Sequence, residues 1–181
     1  MDDGKSRISQ VLSAFTGREG EPENEAESYI LKAMWLMMMS EFEASIKQIA
    51  ENYIDKVKKR DISNIHICML IRNFHGKNED DLTLTKIVSF YKKSPKHINY
   101  RNFTQDRVPK YKTVAVEKLF NNMGIFFTED EHIQLSILNS VASTRDSIAH
   151  GDIGVEITRK QLEDQLQNLS ELSKMLEGKL M

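Results

Sequence analysis

Trp35, Met38, Phe42, Ile46, Ile49, Tyr53 and Val57 follow one another at steps of three or four residues. A helical period of about 3.6 residues puts all seven on one face. The stretch therefore reads as a long helix with a single apolar stripe, which must be covered by other elements. Lys56, Lys58, Lys59 and Arg60 follow at its end, where cations complement the helix dipole. Strand-type alternation does not persist beyond residues 155–157, and no internal repeat is visible.

The partners of that helix are also helical. A second helix is expected over residues 62–74, stopping at Gly76, and a third over 83–93, ended by Pro95. Residues 95–111 lack a period, hold Pro95 and Pro109, and read as a loop. A fourth helix over 113–123 should end at Gly124. Thr128 with Glu131, and Thr158 with Gln161, have the spacing of capping boxes. The first opens a helix carrying Ile133, Ile137, Leu138, Val141 and Ile148, with Gly151 as the stop. The second opens a helix carrying Leu162, Leu166, Leu169, Leu172 and Leu176. The expected architecture is an all-α bundle with a long first helix and short connections, apart from the loop.

Composition sets the remaining limits. A chain of 181 residues, 40% of them hydrophobic, can bury one real core. Residues 1–28 pair three cations with seven carboxylates. Residues 1–24 are therefore expected to be a flexible acidic arm, with at most a short helical turn over 8–15, and residues 25–181 the domain. The net charge of −2 argues against a protein that coats polyanions. Cys68 is the only cysteine, which excludes an internal disulfide and a Cys-rich zinc site and suits a reducing, cytoplasmic compartment. Residues 1–10 are polar, so no secretory leader is expected. The apolar run at residues 33–39 is too short to cross a bilayer. His66, His75, His97, His132 and His150 lack ligand spacing, so no metal and no cofactor is expected.

The chemistry concentrates in residues 143–152, Ser-Thr-Arg-Asp-Ser-Ile-Ala-His-Gly-Asp. Arg145 and His150 are five apart, a rotation of about 140° and a rise of about 7.5 Å on a regular helix. Both side chains are long enough to reach one groove at the helix end. Asp146 stands four residues before His150, where a carboxylate can hold an imidazole. Ala149 and Gly151 leave room for a second helix or a ligand. The same residues also fit an ordinary helix C-terminus, with a His in the last turn and Gly after it.

Residues 145–151, Arg-Asp-Ser-Ile-Ala-His-Gly, resemble the signature of HEPN domains, Arg-[Asn/Asp/His]-x-x-x-His. Residues 111–125 resemble the helix that precedes the signature in the RiboL-PSP and MAE-type branch. Residues 40–46 resemble the aromatic-Glu-small segment of that branch's first helix, and residues 155–158 with the Leu-rich helix fit its tail. The resemblance covers roughly residues 25–178. It has Asp146 where Asn is commonest, a residue the family also uses.

The resemblance implies a homodimeric, metal-independent endoribonuclease with two signatures facing each other across the two-fold axis. RNA supplies the nucleophile, its 2′-OH. His150 would serve as acid or base and Arg145 would bind phosphate and the transition state. Asp146 would orient His150 or the backbone. Glu43, at the matching position of the first helix, is a further catalytic candidate, although a surface Glu fits that place equally. The implied role is a toxin or anti-phage effector, with RNA and an antitoxin or regulatory protein as partners and no membrane. The alternative is a non-catalytic HEPN dimer that binds nucleotide, RNA or a partner protein.

Residues 83–118 carry nine cations against Asp106 and Glu117, interleaved with Phe90, Tyr91, Tyr100, Phe103 and Tyr111. Such a mixture suits single-stranded RNA, with cations on phosphates and rings on bases. Lys92, Lys93, Lys96, Tyr100, Arg101, Arg107 and Lys110 are the expected contacts. The same residues also suit core anchors beside a solvated face. Residues 72–76, Arg-Asn-Phe-His-Gly, look like a shortened signature, but the spacing of three and the second-helix position suit a helix end. Met34, Met37, Met38 and Met39 suit an adaptable core or a dimer contact.

Overall fold

The computed structural model describes residues 1–15, 20–59, 85 and 111–180. Among the described residues there are five helices and no strand. They are α1 (Asp2–Phe15), α2 (Glu25–Lys59), α3 (Thr113–Asn122), α4 (Glu129–Ala149) and α5 (Arg159–Gly178). The all-α expectation holds. The helices expected over 62–74 and 83–93, Thr85 apart, and the loop over 95–110 lie outside the described residues.

The long helix is the axis of the bundle. All seven residues of the expected stripe are buried, and Leu31, Met39, Ala50 and Ile54 widen it. Asn24 opens the helix by accepting the Glu27 N–H at 3.0 Å. α1, α4 and α5 pack against α2, and α3 packs against α4. Leu162, Leu166, Leu169, Leu172 and Leu176 of α5 are buried, as their spacing requires. Ser45 of α2 and Ser173 of α5 share a hydrogen bond at the seam, 2.5 Å long.

Both capping boxes form. Thr128 accepts the Glu131 N–H at 3.4 Å while the Glu131 carboxylate accepts the Thr128 N–H at 2.7 Å. At α5 the two bonds between Thr158 and Gln161 are 3.1 and 3.0 Å. Each box satisfies donors that the first helical turn leaves unpaired. Gly124 and Gly151, the expected stops, have φ of 81° and 78°, values that favour glycine.

One expectation is corrected. Residues 2–15 are a helix on the core, not an arm: Ile8 and Leu12 are fully buried, and α1 packs on α2 and α5. The cause is a stripe at steps of four, Gly4, Ile8 and Leu12, within an acidic sequence. A Cβ on Gly4 would lie 2.6 Å from the end of the Glu41 side chain, so glycine leaves that carboxylate its place against α1. Charged groups rim that contact. Arg7 pairs with Glu41 at 2.5 Å, Asp2 with Lys174 at 3.4 Å, and Lys5 donates to Gln167. On α4, Ile133 is exposed, and Leu135, Leu138, Val141 and Ala142 make the buried face. Ile133 lies two residues from Leu135, about 200° around the helix, and so points away from the core.

Candidate functional site

The C-terminal end of α4 is built by its last residues and by Gly151. The Asp152 N–H donates to the Ser147 carbonyl and the Gly151 N–H to the Ile148 carbonyl, both at 3.0 Å. This pair of bonds, with glycine at positive φ, is a Schellman motif. His150 is the C-cap residue, and its own N–H donates to the Asp146 carbonyl at 2.9 Å. The imidazole is thereby delivered into solvent at the helix end. Among the described residues its ring has no hydrogen-bond partner, and it lines an open groove with Lys112, Asn139, Ser143, Asp146, Ser147 and Asp152.

Asp146 is the hub beside that groove. Its Oδ1 accepts from the Tyr111 hydroxyl at 3.0 Å and from Arg145 Nη1 at 3.2 Å. Its Oδ2 lies 3.3 Å from Lys112 Nζ. The Arg145 guanidinium also sits over the Tyr111 ring, with Cζ 5.3 Å from the centroid, a cation–π contact. Tyr111 is buried and Lys112 half-buried. They stand immediately before α3, whose first residue is tied to α4 by Thr113 Oγ1 donating to the Leu135 carbonyl at 2.6 Å. That tie sets Tyr111 and Lys112 against α4.

The electrostatics follow from these contacts. Desolvation pushes the Asp146 carboxyl upward, but hydrogen bonds from Tyr111, Lys112 and Arg145 outweigh it and hold the group below the ordinary carboxylate range. Desolvation, then the bond to Asp146, raises the Tyr111 phenol, opposed by the Arg145 charge. Glu43 of α2, half-buried, also raises it through its charge. The phenol therefore stays a donor at neutral pH.

The structure brings Arg145 and Asp146 together with Tyr111, with Glu43 bearing on the cluster only through its charge on Tyr111, and it sets His150 in the lining of the adjoining groove with Asp146 but without Arg145. It does not pair the Asp146 carboxylate with the His150 ring. Two cations and a buried hydroxyl take both carboxylate oxygens, and only the backbone links Asp146 to His150. Tyr111 and Lys112 are members of the site that the sequence analysis placed only in a general basic, aromatic segment. No spacing rule links residue 111 to residue 146. Lys92, Lys93, Lys96, Tyr100, Arg101, Arg107 and Lys110, like Arg72 and His75, lie outside the described residues. Among the described residues no group of three His, Cys, Asp or Glu side chains could hold a metal ion, and no helix is long and apolar enough to cross a membrane.

The all-α bundle is the architecture of a HEPN-type domain. The chain belongs to the RiboL-PSP-HEPN family, whose model matches residues 2–181. Membership gives a general role in nucleic-acid cleavage or nucleotide binding. Neither a curated protein nor a solved structure matches the chain.

Proposed function

We propose that the chain is a metal-independent endoribonuclease that cuts single-stranded RNA through the RNA's own 2′-OH, and that it acts as a toxin or anti-phage effector. The observation that carries this reading is the exposed imidazole of His150, without a ring partner among the described residues, in a groove also lined by Asp146, the carboxylate that holds Arg145. Among the described residues Arg145 spends one hydrogen bond on Asp146, which leaves other donors of its planar fork for a phosphate.

In the proposed step a base removes the 2′-OH proton and O2′ attacks the adjacent phosphorus. The bond from phosphorus to O5′ breaks, and an acid protonates O5′. His150 supplies acid–base function, because an imidazole nitrogen can accept or donate a proton. Arg145 binds the negative charge gathered in the transition state. Asp146 holds Arg145, and Glu43 adds its charge to the same cluster. Two chains form a homodimer that brings two such grooves together. Lys92, Lys93, Lys96, Tyr100, Arg101, Arg107 and Lys110 hold the RNA strand, and an antitoxin or regulatory protein controls the activity.

The test is cleavage of a long single-stranded RNA by the purified chain with a chelator present. The expected products carry 2′,3′-cyclic phosphate and 5′-OH ends. Loss of cleavage with the chelator, or equal cleavage of DNA, contradicts the proposal. RNA or nucleotide bound and left intact supports a non-catalytic binding module instead.

A further inference from the structure

Arg145 is a long side chain near the surface, and within its own helix the hydrogen bond to the neighbouring Asp146 is what holds it. A second hold, on both the guanidinium and that carboxylate, comes from residue 111, before α3. The Tyr111 ring lies under the guanidinium at 5.3 Å, and the Tyr111 hydroxyl donates to Asp146 Oδ1 at 3.0 Å. That same oxygen accepts from Arg145 Nη1 at 3.2 Å, while Lys112 occupies the other oxygen at 3.3 Å. One buried side chain thus supports the guanidinium from below and orients the carboxylate that grips it from the side. We propose that Tyr111 is a positioning residue for Arg145, holding the guanidinium beside the His150 groove in the orientation that receives a phosphate.

The geometry separates two contributions. Tyr111→Phe keeps the ring under Arg145 and removes the bond to Asp146 Oδ1, so the carboxylate can turn. Tyr111→Leu removes both. Because Tyr111 is 7% exposed, the Leu variant also tests packing, and the nearly isosteric Phe variant keeps the experiment interpretable if the Leu variant folds poorly. The catalytic consequence rests on the ribonuclease reading, whereas the positioning itself does not.

The experiment has an activity-free arm and an activity arm, both on the full chain. In the first, the Asp146 side-chain 13C carboxyl signal is titrated and the Arg145 Nε–Hε resonance is recorded by NMR. Tyr111→Phe should raise the Asp146 titration midpoint, because one of the hydrogen bonds that lowers it is gone, and should largely keep the ring-shifted Arg145 signal. Tyr111→Leu should also move that signal toward its free-arginine position. In the second arm, Tyr111→Phe should lower kcat/KM on single-stranded RNA about 10-fold, the loss of a hydrogen bond to a charged group. The loss should fall mainly on kcat, with circular dichroism unchanged. Wild-type values of both NMR signals in the Phe and Leu variants would overturn the proposal. A wild-type chain that cuts no RNA would overturn the ribonuclease reading alone, since the NMR arm still decides whether Tyr111 holds Arg145.

Discussion

Removing the Asp146 carboxylate disconnects three side chains at once, and its cost can be worked out contact by contact. Asp146→Ala leaves the buried Tyr111 hydroxyl without its acceptor and leaves Arg145 and Lys112 without the charge between them. A buried donor left unpaired costs about 1–3 kcal/mol. The Asp146 side chain is 30% exposed, so water reaches the site and the low end, about 1 kcal/mol, applies. The two ion pairs involve cations 37% and 41% exposed and add only about 0.2–0.5 kcal/mol after solvent screening. The sum is a loss of about 1–1.5 kcal/mol, a fall in Tm of about 2–6 °C for a domain of this size. The pH dependence has a definite sign. The folded-state pKa of Asp146 is depressed, so its contribution is fully present above the unfolded value of about 3.9 and is lost as pH falls through the folded value. The Tm gap between wild type and Asp146→Ala should therefore be full at pH 7 and shrink below about pH 4. Asp146→Asn keeps an acceptor for Tyr111 and should lose less. Thermal unfolding followed by circular dichroism at several pH values reads all of this. A gap that is equal at pH 3 and pH 7, or absent at both, would refute the reasoning.

Two further outcomes follow from the fold and from the proposed mechanism. Ile8→Ala should destabilise the chain by about 2–5 kcal/mol in urea titration, the cost of emptying a fully buried core position. A loss below about 0.5 kcal/mol, as expected at a solvated surface position, would return α1 to the status of an arm. Sedimentation at micromolar concentration should show a dimer; a strict monomer that still cuts RNA would remove the two-groove mechanism.

How legible these features were in the sequence depends on the range of the interaction. The α2 stripe, the α5 leucines, both capping boxes and the stops at Gly124 and Gly151 were readable because each depends on residues within one or two helical turns. α1 was obscured because acidic composition outweighed a short Gly4-Ile8-Leu12 stripe, and burial of that stripe depends on residues of α2 and α5 far along the chain. Ile133 lies on the helix its spacing gave, but spacing alone did not decide its exposure, since an apolar residue need not be buried when neighbouring positions already cover the core. At the site, the Arg145 and His150 pattern was legible, but the partner of Asp146 was not. The i,i+4 rule pointed to His150. The fold instead brings a hydroxyl and a cation from residues 111 and 112, and with Arg145 they take both carboxylate oxygens. Helical spacing carries no information about a partner that reaches the helix from a different element.

The central claim is that His150 does chemistry and is not merely a helix cap. The most direct measurement is the rate of single-stranded RNA cleavage by His150→Ala, beside wild type and His75→Ala, with circular dichroism on each. His150 is exposed and its backbone makes the cap bonds, so alanine leaves no core cavity and should cost under about 1 kcal/mol of stability. Loss of a general acid or base should lower the rate by about 10²–10⁴. His75→Ala, at the shortened pattern of residues 72–76, should cut RNA at nearly the wild-type rate. A folded His150→Ala protein that cuts RNA as fast as wild type would contradict the account.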